Sequence, residues 1–307
     1  MKGLLTVLLV IVPTVAEGAT IWPKGVPLDV LNSTTSEVGP SLSADGRTLY
    51  FSSSRAGNAD VYQSIGSGLD WAPPTLVPGV NTPANDQHPS ISRDGQTLMF
   101  SSNRGGNYDL YETTWAGAAW GPVMPIVGVN SPGGEYFPQL VDPLTLWFSS
   151  DRPGGKGSFD LYESTRATIG DPWGTPSADP FALLNSSAPD FHATRLANEE
   201  TMYYWLHGSP ITIRRSTWDD DLERWNASEI VRIAGWTRGT GSPWLSDEVI
   251  TVENREQYMY YIQDRYDVGR GWDLYASMRI IPEPSTALLF VLGIVGLVTR
   301  RRHEHQQ

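Results

Sequence analysis

Short apolar runs recur along the chain at an even pitch, each bounded by Pro, Asn or Asp-Gly, which is the pattern of short strands joined by tight turns. In one stretch the predicted strands run from Trp71 to Val77, Pro89 to Ser92, Thr97 to Ser101 and Asp109 to Thr113. Asp45-Gly46 and Asp94-Gly95 supply the positive φ that a hairpin turn needs. Strands this short and evenly spaced predict an all-β fold made by repeating one sheet.

The repetition is legible residue by residue. GPSLSADGRTLYFSSSRAGNADVYQ (Gly39 to Gln63) returns as HPSISRDGQTLMFSSNRGGNYDLYE (His88 to Glu112), and a third copy spans Phe137 to Glu163. Pro40, Pro89 and Pro138 move in register with Arg55, Arg104 and Arg152, with Asp60, Asp109 and Asp160, and with Tyr62, Tyr111 and Tyr162. A second signature is a Trp followed by Asn: Trp22 with Asn32, Trp71 with Asn81, Trp120 with Asn130, Trp173 with Asn185. Trp225 extends the series, so units start near 22, 71, 120, 173 and 225. The fourth copy is degenerate, with His207-Gly208-Ser209 where Ser-x-Arg is expected; the fifth recovers at Asp273-Leu274-Tyr275.

Pro-x-x-Ser-x-Asp-Gly-x-Thr-Leu, then Phe-Ser-Ser-x-Arg, then Asp-Leu-Tyr resembles the WD40-like (PD40) propeller repeat of the TolB family. The resemblance spans residues 20–281 and implies a β-propeller without implying one activity. Five units predict five four-stranded blades. The last unit ends near Arg279 with no Trp strand behind it, so the strand near Trp22 is expected to complete the blade formed by residues 243–279, which removes exposed sheet edges. Room for the N-terminal domain of TolB is not expected, so its role in the Tol system does not carry over.

The two ends read as address labels. Lys2, the apolar run from Leu4 to Val12 and the small residues Ala16, Gly18 and Ala19 predict a signal peptide over residues 1–19. At the other end Pro282-Glu283-Pro284 precedes an apolar stretch from Ala287 to Val298 and the basic cluster Arg300, Arg301 and Arg302. Motif, short hydrophobic segment and basic tail resemble the PEP-CTERM sorting signal of Gram-negative bacteria over residues 282–307. The resemblance implies recognition by an exosortase and delivery to the envelope, cell surface or extracellular matrix, with transient or permanent membrane attachment through this segment. A simple tail anchor is the alternative, although the stretch is shorter than the roughly 20 apolar residues of a spanning helix. Either places residues 20–281 outside the cytoplasm.

Charge narrows the partners. The chain carries 34 acidic and 22 basic residues, a net charge of −12, and no Cys. Setting both labels aside leaves the body still more acidic, which opposes binding to nucleic acid. Disulfides and thiolate metal sites are excluded. No Gly-x-Ser-x-Gly elbow, His-Glu-x-x-His helix or phosphate-binding Gly-Lys-Ser/Thr loop occurs, and His88, His192 and His207 lack metal-ligand spacing, so neither catalytic residues nor a resident metal is assigned. Asp219-Asp220-Asp221 offers Ca²⁺ ligands but lacks the alternation and Gly turn of a calcium loop, and reads as a solvated turn.

One constellation stands out. An acid precedes the strand-opening Pro position by three residues in four units: Glu37, Asp86, Glu135 and Asp190, with Thr240 in the fifth. If that strand is the innermost, these carboxylates ring the channel mouth as a cation-attracting funnel. Beside them stand His88, Tyr136, Phe191, His192 and Trp244, types suited to stacking on sugar rings. Equally, a repeated acid in a loop serves its own turn by accepting backbone N–H groups. The Arg and Asp pairs, such as Arg55 with Asp60, are expected to staple a hairpin. Three functions follow: an exported binding or scaffold module for exopolysaccharide or envelope protein, a five-bladed glycoside hydrolase, or a purely structural surface protein.

Overall fold

The computed structural model describes residues 21–22, 25–195, 200–207, 212–233, 249–251, 256–264 and 272–280. Among these, regular structure is almost entirely strand, apart from one 3-10 turn at Asp179–Phe181. No helix among the described residues is long and apolar enough to cross a membrane. The signal peptide of residues 1–19, the sorting segment of residues 282–307 and Trp244 lie outside them.

Four successive antiparallel sheets form propeller blades. Blade one runs outward from Glu37–Leu42 through Thr48–Ser53 to Asp60–Ser67, with outer pieces at Asp70–Trp71 and Thr75–Leu76. Pro73 and Pro74 separate those pieces, so the single strand predicted from Trp71 to Val77 is two short ones. Blade two is Asp86–Ile91, Thr97–Ser102, Asp109–Thr114 and Met124–Pro125. Blade three is Glu135–Asp142, Thr145–Ser150 and Asp160–Thr165. Blade four is Asp190–Arg195, Thr201–Leu206 and Thr212–Asp219, edged by Arg224–Trp225 and Glu229–Ile230.

Among the described residues four sheets have this blade build, against the five blades predicted from the Trp series. Trp71, Trp120 and Trp225 mark outer strands of the preceding blade and not the starts of new sheets, so counting Trp residues does not count sheets: Trp71 pairs with Gly66, Trp120 with Trp115, Trp225 with Trp218. The remaining sheet differs in build. Its inner strand, Val249–Thr251, pairs over three residues with Glu256–Asp264 and has no bulge; Trp272–Ile280 follows. Its far edge is the N-terminal Val26–Pro27, antiparallel to Trp272–Ile280. Trp22 itself does not join this sheet, because Ile21–Trp22 lies parallel to Arg232–Ile233.

The Asn of the repeat explains how successive units are tied. Asn81 accepts the Val61 N–H at 2.7 Å and donates to the Val61 carbonyl at 2.9 Å. Asn130 clamps Leu110, and Asn185 clamps Leu161, in the same way. Asn32 applies the identical clamp to Leu274, 242 residues away, at 2.7 and 3.0 Å, with the Leu28 N–H donating to the same carbonyl at 2.9 Å. An amide side chain offers one donor and one acceptor in the geometry of a missing strand residue, so the motif continues the ladder where the chain cannot.

Second strands are covered on both faces, and Phe51, Phe100 and Phe148 are buried. Apolar clusters form between neighbouring sheets: Tyr50 and Val61 of blade one pack with Ile91, Leu98 and Phe100 of blade two. Trp147 and Leu161 of blade three likewise meet Met202 and Tyr204 of blade four. The inner strands of the four blades slip register at an equivalent bulge, with a second shift in blade three between Leu140 and Asp142, and a residue at the shared bulge has positive φ: Gly39 at 61°, His88 at 56°, Phe137 at 53° and His192 at 51°. Such backbone costs about 1–3 kcal/mol for a non-glycine residue and persists only where packing over-determines it. In blades two to four it turns one side chain toward its neighbours on adjoining inner strands.

Candidate functional site

The two ends of the propeller are chemically distinct. Glu37 pairs with Ser53 and Ser53 with Asp60, so the repeated acids, the Arg loops and the third-strand Asp residues share one end; the Asp-Gly turns lie at the other.

At the acid end, none of the four carboxylates reaches solvent: Glu37, Asp86, Glu135 and Asp190 are each 0% exposed. Glu37 accepts the Ser33 N–H at 3.0 Å, the Ser33 hydroxyl at 2.6 Å and the Ser53 hydroxyl at 2.7 Å. Asp86 accepts the Thr82 N–H at 2.6 Å and its hydroxyl at 2.9 Å, and Glu135 holds Ser131 and Ser150 similarly. Burial pushes Glu135 above the usual carboxylate range, against the pull of Ser131, Ser150 and Arg152.

Arg residues neutralise three of these acids. Arg104 donates from Nη2 to Asp86 Oδ1 at 2.7 Å and to the Val80 carbonyl at 2.7 Å. Arg55 reaches Glu37 and Leu31, and Arg152 reaches Glu135 and Val129. Each guanidinium also lies over a Phe and a Tyr of its own blade, 4.9 to 5.1 Å from the ring centroids in the case of Arg104. The expected pairing of Arg55 with Asp60 and its counterparts is therefore replaced by pairing with the inner-strand acid. Both acids flank the strand that leads into the Arg loop, since Ser53 pairs with Glu37 on one side and Asp60 on the other, and the guanidinium turns to the inner one.

Blade four breaks the pattern. In the sequence His207 and Gly208 stand where Ser54 and Arg55 stand in blade one, and Arg214 stands where Tyr62, Tyr111 and Tyr162 stand elsewhere, paired across from Tyr204. Asp190 keeps the Ser186 N–H at 2.7 Å and hydroxyl at 3.1 Å on Oδ2, while its buried Oδ1 has no hydrogen-bond partner. Burial pushes this carboxyl up to about 7; the Asp160 charge adds to the rise and Arg214 opposes it.

The bulged residues fill the middle. His88 and Phe137 have centroids 3.7 Å apart, and Phe137 stacks on His192 at 5.2 Å. Gly39 completes the set because a Cβ there would come within 2.9 Å of His88 Cα. Burial holds His88 well below the usual imidazole range and His192 down at about 4, so both rings are neutral at physiological pH. His88 and His192 thus serve as packing between inner strands.

Aromatic side chains do surface at this end. Tyr108 and Tyr136 lie 4.7 Å apart, Tyr136 and Phe159 5.4 Å, and Phe159 and Phe191 4.8 Å. Phe191 continues to Trp205 at 5.3 Å, and Trp205 stacks on the exposed His207 at 5.2 Å. This arc crosses blades two to four, half-buried over most of its length. The Tyr136 hydroxyl is pushed up to about 12 by burial, with Tyr108 and Asp151 contributing, and stays protonated. Tyr136 and Phe191 are legible in the sequence as neighbours of the acids. Tyr108 and Phe159 are not singled out there, although they share the repeat position filled by Ala59 in blade one.

The triple Asp is a surface turn: Asp219 accepts the N–H groups of Asp221 and Leu222, both at 3.1 Å. Among the described residues no three His, Asp or Glu gather as metal ligands.

Comparison with known proteins bears first on the C-terminus: residues 281–302 match the PEP-CTERM protein-sorting motif. This motif implies an exported, cell-surface-associated protein of a Gram-negative bacterium, recognised by exosortase-type machinery. No curated protein matches the chain. Among solved structures, an α-L-arabinofuranosidase from Podospora anserina in complex with cellotriose is 11% identical, with 85% of this chain and 97% of that chain covered and a TM-score of 0.57. An α-L-arabinofuranosidase from Lactobacillus brevis is 14% identical over 81% and 93% of the two chains, with a TM-score of 0.50. TolB from Acinetobacter baumannii is 14% identical over 81% of this chain and 56% of that chain, with a TM-score of 0.47. At these identities the likeness is one of β-propeller fold.

Proposed function

We propose that the protein is an exported envelope or matrix propeller that binds polysaccharide or an envelope protein through the aromatic arc at its acid end, without catalysis. In this reading the blades belong to a TolB-type repeat, and the N-terminal segment is a signal peptide. The C-terminal segment attaches the protein to the membrane before or after sorting. One observation carries the binding role: the repeated carboxylates are internal ties of the blades, whereas the rings of Tyr108, Tyr136, Phe159 and Phe191 beside them form a continuous half-buried row. Rings present apolar faces to sugar C–H groups or to partner side chains at little entropic cost.

Glycoside hydrolysis is the second reading, and Asp190 is what favours it. A carboxyl held near 7 beside a second carboxylate is the kind of asymmetric pair that acid catalysis uses. Against it, Asp190 is wholly buried and offers no oxygen to a substrate. The test is co-sedimentation of the full chain with bacterial exopolysaccharide and plant cell-wall polysaccharides, followed by reducing-end analysis. Retention weakened by Tyr108→Ala with Tyr136→Ala, and no new reducing ends, is the expected result. Release of sugar supports the hydrolase. Absence of retention with both polysaccharides and envelope extracts supports a purely structural role.

A further inference from the structure

The opposite end of the propeller carries a groove of about 450 Å³ between blades one and two, a size typical of small-molecule sites. Its walls are the Trp115 and Trp120 indoles, Tyr50 and Ile65, and its polar groups include the amides of Gln63 and Gln96. Among the described residues no Asp, Glu, Lys or Arg lines it.

The groove arises where blade two departs from its neighbours. In blade one the Trp71 indole packs on Gly66, where a Cβ would meet Trp71 Cα at 2.7 Å, and the indole is 4% exposed. In blade four Trp225 pairs with Trp218, yet is only 1% exposed because it also packs on Trp147. In blade two Trp115 stands at the Gly66 position, edge-on to Trp120 with centroids 5.3 Å apart, and both indoles remain half-buried. Large apolar faces thus stay half-open beside amide and hydroxyl groups.

We propose that this groove binds a neutral sugar unit of a polysaccharide. Indole faces suit the C–H face of a pyranose, while Gln63, Gln96 and Tyr50 offer both donors and acceptors to its hydroxyl groups. An uncharged lining on a chain of net charge −12 selects against uronic acids and phosphosugars, which gain no cation here and are repelled by the whole. The site is independent of the aromatic arc and stands whether or not that arc binds a ligand.

Saturation-transfer NMR and indole fluorescence on the full chain in detergent, with cellotriose, xylotriose, mannotriose and trigalacturonate as probes, test it. At least one neutral trisaccharide is expected to bind and to quench indole emission, with affinity at least tenfold weaker in Trp115→Ala and in Gln63→Ala. Trigalacturonate is expected to bind at least tenfold more weakly than that trisaccharide. A denaturation midpoint unchanged in Gln63→Ala separates lost binding from lost folding if Trp115→Ala is unstable. The proposal is overturned if no neutral trisaccharide binds, if both variants bind as the parent does, or if trigalacturonate binds as well. Binding lost in Tyr136→Ala but kept in Trp115→Ala places the sugar on the other end and also overturns it.

Discussion

Asp190→Asn should stabilise the protein above neutral pH and flatten its pH profile. The carboxyl is completely buried, with one oxygen engaged by Ser186 and the other bare, and the Arg that serves the other three blades is missing from its loop. Its folded value of about 7 lies above the ordinary carboxyl value of 3.8. The folded state therefore holds a proton that the unfolded chain has lost across that window. By linkage, the contribution is fully present below about 3.8 and is lost as pH rises through about 7. At roughly 1.4 kcal/mol per pH unit, the whole loss is on the order of 4 kcal/mol. Asn keeps the oxygen that accepts from Ser186 and adds no titration. Urea denaturation of parent and variant from pH 4 to 8.5, compared as a difference, cancels the contributions of His88 and His192. The difference should grow in favour of Asn as pH rises, to a few kcal/mol at pH 8. Parallel profiles would sink the argument that Asp190 is an acid without its cation.

The repeat supplies the contrasting experiments. Arg104→Met leaves Asp86 buried and unpaired, and should cost about 3–5 kcal/mol, whereas Arg215→Met, which breaks the exposed pair with Glu229, should cost under about 1 kcal/mol; equal midpoints in denaturation would contradict this. Phe137→Ala removes the ring between His88 and His192 and should cost about 3–5 kcal/mol by the same measurement. Asn32→Ala strips both hydrogen bonds to Leu274 and should cost about 1–3 kcal/mol, with hydrogen exchange at Leu274 rising well before that at Leu110; uniform exchange would deny a local closure.

Local rules made much of this architecture readable in advance. The Asp-Gly turns, the period of Pro, Arg and Tyr, and the Trp-to-Asn interval all follow from short-range hydrogen bonding that each unit repeats. In Asp94 the turn is explicit: its carboxylate accepts the Ser92 hydroxyl at 2.6 Å and the Gln96 N–H at 3.0 Å. The PEP-CTERM motif is linear and is read as such. Less legible was the destination of side chains that cross between units. Nothing in the spacing of Arg55 and Asp60 says that the guanidinium prefers Glu37, since that choice depends on strand pairing and on the Phe51 and Tyr62 rings beneath it.

Sequence alone determined that the chain is an all-β repeat with an export label, because turn chemistry and strand alternation act over a few residues. Tertiary structure decided what the repeated acids are for. Burial turns them from a charged funnel into internal ties, and in blade four the loss of one Arg leaves Asp190 to be neutralised by a proton instead. It also decided where the Trp residues belong: on the outer edge of the preceding sheet, where a single exchange of Gly66 for Trp115 between blades leaves one indole buried and another facing an open groove. Packing against a neighbouring sheet is a long-range property, and a period along the chain does not encode it.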